Sequence, residues 1–427
     1  MAAQSGLQVI AAELERVVDK IEVLYERGDD TLQMFSRGND VEIVSERLMR
    51  VPLQVTAGGK GGYYNPDGGD MGRGSGESYD VAQLTPVFIN MMFEQTSLVQ
   101  WATDNDKKAI INATQRIVTE GMKQFRASID KMLNATSAGV LGVIGTVAGT
   151  TLTINVPTGA QLFYENQSLQ VYDTTLTINR SANSGIYPQV LATDPVTTQT
   201  IVVDQLPPGT VATDVLFPTG LAGANPQTLF SIKYHQNNAT TGTWQSLNRA
   251  TYPVKLQTPR VNGNSGALVP MQPELAINKI RKSLGLDDVG ALVAHCAVEQ
   301  KQAWNQLATT VQIIDRAKME SGATVDMNPT SFKRFRDGNM HGVPIKVGQN
   351  ADQTRIDFID PSVWGRAVMN NIGFYKGANG KVWFQIYGAS GGIATAMQFG
   401  YIYNFQLFNR SPRKGAYIDS LARPSGF

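Results

Sequence analysis

The sequence predicts an α+β fold carrying an inserted all-β module, on three observations. A single long amphipathic stretch, Lys107 to Leu133, stands between a Gly-rich segment and a β-rich one. From Val143 to Phe217 the chain turns Thr- and Val-rich, with Arg180 as its one basic residue. From Phe230 onward short helical and strand-like patterns alternate, and no internal repeat is visible.

The elements follow in order. Leu7, Ile10, Leu14, Val17, Ile21 and Leu24 recur at helical spacing, with Glu13, Asp19, Lys20 and Glu26 on other faces. This helix should stop near Gly28-Asp29-Asp30. It fits either an amphipathic helix packed on its own domain or an arm lying on a neighbouring subunit. Val41 to Val44 and Leu48 to Val55 read as extended. The next stretch, GGKGGYYNPDGGDMGRGSG from Gly58 to Gly76, has almost no side chains to bury and cannot hold itself folded. A second extended run, Ser78 to Pro86, alternates at Tyr79, Val81 and Gln83. Two strands closed by a long Gly-rich tip describe an extended hairpin, which is marginal alone and needs a partner surface.

Thr103-Asp104-Asn105-Asp106 caps the long helix. Its stripe is Ile110, Ala113, Ile117, Gly121, Phe125, Ile129 and Met132, and at 1.5 Å per residue it spans roughly 40 Å. In the β module the strand-like runs are Thr151–Val156, Ser168–Tyr172, Thr174–Asn179 and Thr200–Asp204. Turn signals separate them at Pro157, Asn183, Asp194-Pro195 and Pro207-Pro208-Gly209. Because helical and mixed patterns resume afterwards, the module reads as an insertion. Pro273 then opens a helix, Glu274 to Leu284, that Gly285 stops. Ala291 to His295 is a short strand, and Ala297 to Ala308 a helix burying Val298, Ala303 or Trp304, and Leu307. Val343–Val347, Ile356–Ile359, Val382–Tyr387 and Ile402–Phe408 complete the predicted strands.

Composition narrows the function. The 427 residues are 42% hydrophobic and 17% charged, as a core-forming chain of two or three domains should be. A formal net charge of +1 argues against holding nucleic acid by a clustered Lys/Arg surplus. One cysteine, Cys296, allows no intrachain disulfide and no cysteine metal cluster. The N-terminus lacks a basic signal region, and the apolar run Ser137 to Gly149 is too short and Gly-rich to span a bilayer, so a soluble protein is expected.

Catalytic lookalikes fail on context. Gly388-Ala389-Ser390-Gly391-Gly392 matches the nucleophile elbow, but no histidine follows Ser390; the last is His341. Gly72-Arg73-Gly74-Ser75-Gly76 has strand-like sequence after it where a dinucleotide loop needs a helix. Gly380-Lys381 lacks the hydroxyl residue and spacing of a P-loop. His235, His295 and His341 have no metal-ligand spacing, and Asp352, Asp357 and Asp360 fit a solvated acidic run better than a cation site. The reading is a non-enzyme with no metal and no cofactor.

The order of parts resembles the major capsid proteins of tailed phages, the Hong Kong 97-type fold. The features that carry it are the N-terminal helix, the Gly-tipped hairpin, the solitary long helix and a compact α+β domain. Within that domain PELAINKIRKSLG, ALVAHC and AVEQKQAWNQLA resemble its helix, strand, helix order, and HGVPIKV, IDFID and VWGRAV its later strands. The resemblance implies an N-terminal arm (1–50), an extended loop (51–86) and a peripheral domain with the spine helix (87–142). It further implies the inserted β domain (143–220), a return through the peripheral domain (221–266), an axial domain (267–390) and C-terminal peripheral strands (391–427). The insertion departs from the simplest members and suits the outer surface.

What the resemblance implies for function is self-assembly into pentamers and hexamers of an icosahedral head around double-stranded DNA. The extended loop would lie on a neighbour through Lys60, Tyr63, Tyr64 and Arg73, the arm through Leu14 and Ile21, and Gly121 would let the spine helix adapt. Lys60 is also a conceivable donor for the Lys–Asn crosslink of one family member. Implied partners are further copies of the chain, scaffolding and portal proteins, a decoration protein, and packaged DNA held without sequence preference; no membrane is implied. Because the sequence starts close to the arm helix, a long fused scaffolding segment is not expected, and a separate scaffolding protein, or none, is implied. The virion is the expected location, after assembly in the host cytoplasm. An encapsulin-like cellular compartment and a β-rich carbohydrate-binding or adhesion protein are the competing readings.

Overall fold

The computed structural model describes residues 28–38, 41–45, 47–59, 61, 74–96, 107–155, 159–285, 290–307, 339–377, 380–387 and 393–424. The apolar stripe from Leu7 to Leu24, the cap at 103–106 and most of the Gly-rich tip lie outside them.

The expected hairpin is present. β1 (Glu42–Ser45), β2 (Leu48–Thr56) and β3 (Ser78–Leu84) form an antiparallel sheet, with β2 and β3 in register from Met49↔Leu84 to Gln54↔Tyr79 and shifted by one residue at Thr56↔Ser78. Strand alternation puts Met49, Val51, Ala82 and Leu84 on one face, where they are buried against Trp244, Leu247, Leu256, Ala367 and Phe408. One strand was not anticipated: β4 (Val87–Thr96) follows Pro86 directly. Its inward residues Ile89, Met91 and Phe93 alternate with the exposed Phe88, Asn90, Met92 and Glu94. This period of two continues past the proline at which the sequence pattern suggests an end. The long helix α2 (Lys107–Leu133) has the expected bounds; a short helix, α1 (Asp30–Met34), precedes the hairpin.

The Thr/Val-rich segment folds as a six-stranded sheet with its own core. Its strands are β5 (Gly142–Ala148), β6 (Thr151–Ile154), β7 (Leu169–Tyr172), β8 (Val190–Asp194), β9 (Thr200–Val203) and β10 (Val215–Pro218), in the order β7-β10-β5-β6-β9-β8. Ile144, Leu152, Phe163, Val171, Ile201 and Leu216 fill the interior. Thr174–Asn179, read as a strand, is instead a turn. The Asp173 carboxylate accepts the Thr177 and Ile178 amides (2.8 and 2.7 Å), offering the backbone a local alternative to a sheet ladder, and Asn179 caps helix α3 (Arg180–Ser184). The module's one basic residue is structural, since Arg180 grips the buried Asp214 through Nε and Nη2 at 2.7 and 3.1 Å. Arg180→Met should destabilise the module by about 2–3 kcal/mol, because it leaves a buried carboxylate without its cation. Urea titration followed by hydrogen exchange over 142–218 reads this; an unchanged midpoint would contradict it.

After a connection holding helix α4 (Ile232–His235) and the two-residue strands β11 (Thr243–Trp244) and β12 (Leu247–Asn248), the chain builds a mixed sheet. β13 (Arg260–Asn262), β14 (Val293–Cys296), β15 (Asn339–Met340), β16 (Val343–Val347), β17 (Ile356–Ile359) and a C-terminal strand, 416–419, order themselves as β13, 416–419, β17, β14, β16, β15. Helix α5 (Met271–Leu284) packs Ala276, Ile277 and Ile280 on this sheet. It begins three residues before the expected Glu274, since Pro273 in the first turn needs no intrahelical N–H partner. In helix α6 (298–307) Trp304 is the buried anchor, its indole N–H donating to Asn339 O at 3.1 Å. Val298, expected inside, is 45% exposed: the first turn of α6 turns Gln300 inward instead, where its side-chain amide donates to Gln353 O at 2.7 Å.

β18 (Trp364–Phe374), β19 (Phe384–Tyr387) and the 17-residue β20 (Ile393–Asn409) form the remaining sheet with β4. β4 runs antiparallel to β20 from Val87↔Phe405 to Thr96↔Ala396, and β18 and β19 pair with β20 along its opposite edge. Sheet membership thus differs from the expected segments at three places. β13, inside 221–266, joins the compact sheet; β18 and β19, inside 267–390, join the long sheet; and β21 (Ala416–Asp419), inside 391–427, joins the compact one. Long-range pairing decides this, and local pattern does not record it. Helix α2 lies on the long sheet: Phe125 stacks on Tyr401 (centroids 6.0 Å apart), and the Tyr401 hydroxyl donates to Val118 O at 2.6 Å. Helix α2 is continuous through Gly121, where a Cβ would stand 3.0–3.3 Å from the Phe93 ring. Glycine here permits close approach of sheet and helix.

Candidate assembly surface

The hairpin is fixed at its root and bare beyond it. Past Leu53 and Ala82 it is tied to the body by Lys255 Nζ, which donates to Val55 O (2.7 Å), and by the Tyr252 hydroxyl, which donates to Asp80 (2.8 Å). The strands continue outward to a Gly59 N–H donated to Ser75 O at 2.9 Å. On the outward face Tyr79 is 64% and Val81 40% exposed, opposite Gln54 and Pro52. Ile43 on β1 is 50% exposed, and Phe88 on β4 60%. Alternating residues on two successive strands therefore present aromatic and aliphatic side chains to solvent, which single exposed residues on an ordinary surface do not.

Lys60, Tyr63, Tyr64, Arg73, Leu14 and Ile21 lie outside the described residues; Gly121 lies in the helix–sheet contact above. In the sequence Tyr79 and Val81 stand out only as strand markers, and Ile43, Phe88 and Met92 do not stand out at all. The signal that could have found them is the apolar half of an alternating pattern on the face turned away from the hairpin's core.

Those of the discounted catalytic candidates that are described take up structural positions. Ser390 and the Gly72-Arg73 pair lie outside the described residues. His235 is buried, with Nε2 donating to Leu407 O (3.0 Å) and Nδ1 accepting from Gln245 (3.3 Å); burial pushes it down to about 3. His295 meets the Thr31 hydroxyl at 3.3 Å, and His341 donates to Pro270 O at 2.7 Å. Burial pushes the Cys296 thiol up to about 12, so it is an inert core group. The three acids do not converge: Asp352 pairs with Lys233 (2.6 Å), Asp357 with Arg355 (2.7 Å), and Asp360 caps the turn at Ser362 (3.0 Å). A polar cleft of about 520 Å³ lies where Thr136, Lys233, Gln236, Asp352, Arg355 and Tyr417 meet. Its cations are engaged, Lys233 by Asp352 and Arg355 by Asp357 and the Tyr417 ring (4.0 Å). Among the described residues no group of three or more His, Cys, Asp or Glu could hold a metal ion, and no helix is long and apolar enough to cross a membrane.

No protein-family model matches the chain, and no curated protein matches it. Solved structures do. A chain of the cyanophage A-1(L) capsid asymmetric unit is 12% identical, with a TM-score of 0.51 over 95% of this chain and 96% of that one. A chain from the capsid of a native GTA particle is 10% identical over 97% and 98% (TM-score 0.45), and one from Mycobacterium phage Bobi is 11% identical over 100% of both (TM-score 0.45). The likeness to the cyanophage chain shows the fold: this protein has the fold of a phage capsid chain, nearly end to end.

Proposed function

We propose that the chain is the structural subunit of a phage head, a major capsid protein of the Hong Kong 97 type, and not an enzyme. One observation carries the reading: a hairpin anchored at its root, with Tyr79 64% and Val81 40% exposed on its outward face, on a body with a phage capsid fold. A subunit that completes its surface only against copies of itself assembles, and a ring of identical contacts closes into pentamers and hexamers. In this reading 51–86 is the extended loop and α2 the spine helix, with Gly121 as its adaptable point. Lys60, Tyr63, Tyr64 and Arg73 touch the neighbour at the loop tip, and Leu14 and Ile21 do so from the arm. The sheet of β5–β10 is an accessory domain on the outer surface. A net charge of +1 suits a wall past which double-stranded DNA slides without being gripped. Scaffolding, portal and decoration proteins are the further partners, the virion is the location, and the host cytoplasm is the site of assembly.

Light scattering and negative-stain microscopy of the purified protein should show closed, megadalton shells; a stable monomer or dimer under all conditions would sink the proposal. Tyr79→Asp with Val81→Asp should leave the melting temperature within about a degree or two, since both side chains face solvent in the single chain, and should abolish shells. Shells of normal yield from this variant would remove the hairpin face from the assembly contact.

A further inference from the structure

The C-terminal half of α2 holds a buried carboxylate that no described cation contacts. Asp130 is 1% exposed. It accepts the Leu32 amide at 2.9 Å and the Asn350 side-chain amide at 2.9 Å, with Asn134 at 3.5 Å. Asn134 also donates to the Thr31 hydroxyl (3.0 Å), which meets His295. Four parts of the chain converge there: the segment from Asp29, helix α2, strand β14 and the loop at 350. The charged groups around Asp130 are committed elsewhere. Lys131 donates to Phe163 O, Asp352 pairs with Lys233, and His295 and the nearby Lys346 belong to the compact sheet. Asp29 takes Arg126 at 2.6 Å, and Asp30 opens α1. Arg126 stands one helical turn before Asp130, within reach of it along the same face. Just beyond α1, Phe35 stacks on Trp364 (5.1 Å), and Ser36 and Gly38 bond to the Arg366 backbone at 2.9 and 3.0 Å.

We propose that Asp29–Met34 is a two-position joint pivoting on Phe35–Gly38, in which Arg126 grips Asp29 when the joint is closed and turns to Asp130 when it opens. The closed position is the one described here. It shields Asp130 from water, and burial pushes its carboxyl up to about 6. In the open position Leu32 leaves the core, Asp130 is hydrated, and the pair with Arg126 favours its charged form. The joint moves without refolding helix α2, and it stands independently of the capsid reading.

The sign follows from linkage. A carboxyl raised from 3.8 to about 6 in the closed form favours closure fully below pH 4 and loses that advantage as pH rises through 6, about 100-fold in all. His295, pushed down to about 4 by burial, acts in the opposite direction, so the comparison must be between variants that keep it. Asp130→Asn is a neutral isostere that still accepts the Leu32 amide. In the full-length protein its hydrogen-exchange protection over 30–35 should exceed wild type by about 100-fold at pH 7, and the two should converge near pH 4. Asp29→Asn, which takes away the closed partner of Arg126, should lower that protection. A merely structural Asp130 gives the reverse for Asp130→Asn, lower protection at pH 7, and that result, or no change in Asp29→Asn, would overturn the proposal.

Discussion

His235→Gln is expected to cost about 2–3 kcal/mol at pH 7 and almost nothing at pH 4. The imidazole is fully buried in a box of rings: Trp364 lies 5.1 Å away, Tyr234 5.1 Å, Phe230 5.8 Å and Trp244 6.2 Å between centroids. Glutamine keeps a donor for Leu407 O but leaves part of that box unfilled, which sets the cost at neutral pH. The pH dependence comes from the proton. Burial, reinforced by the buried Arg249, pushes His235 down to about 3 from the ordinary 6.5. A histidine held neutral in the fold stabilises above pH 6.5, and that stabilisation is lost as pH falls towards 3, about 1.4 kcal/mol per unit. Wild type therefore loses about 3 kcal/mol from this one residue between pH 6.5 and 4, and the glutamine variant does not. Urea denaturation at both pH values measures the gap, and parallel stability curves would show that His235 takes no part in acid lability.

His235 also shows where sequence reading stops. Its neighbours come from helix α4, from β11 and from the start of β18, and nothing in the local pattern of IKYH announces such a meeting. Elements whose evidence is local were legible: the bounds of α2 from its 3.6-residue stripe, Gly285 as a left-handed stop (φ +69°) after α5, and the two strands flanking the Gly-rich tip. β4 was missed because a proline two residues after β3 reads as an end, although Phe88, Met92 and their inward neighbours keep alternating past it. The sheet assignments of β13, β18, β19 and β21 were missed for a different reason. Partners such as Ile356↔Ile418 and Trp364↔Asn409 are tens of residues apart, and pairing at that range is a property of the folded whole. The candidate face divides in the same way: that the hairpin needs a surface to pack on was legible from its poverty in core residues, and its root packs on Trp244, Leu256 and Phe408 of the same chain, while which residues are left outward required the register.

Phe408→Ala should be the most damaging single change to the hairpin, although Phe408 lies on β20 and not in the hairpin. Its side chain is buried and forms part of the floor on which Met49, Val51, Ala82 and Leu84 pack. On another side its ring lies against Gly38 and Gly365, so closely that a Cβ at either would come within 2.6–2.7 Å of it. With backbone on that side the site cannot collapse, so truncation leaves a cavity and costs about 4 kcal/mol. The loss falls unevenly. β2 and β3 owe their position to this root, and a strand pair without a packed face is marginal in water. Amide exchange over 48–54 and 80–84 should therefore accelerate more than exchange in the β5–β10 module, which has its own core. The contrast with Tyr79→Asp and Val81→Asp separates two ways of losing a shell. On the proposed assembly, those changes remove the outward contact from a hairpin that stays in place, with stability unchanged; Phe408→Ala keeps Tyr79 and Val81 and unfastens the strands that present them. If Phe408→Ala lowers stability while exchange in the hairpin stays at the wild-type rate, the root is held by Trp244 and Leu256 without it, and the anchoring assigned to Phe408 is wrong.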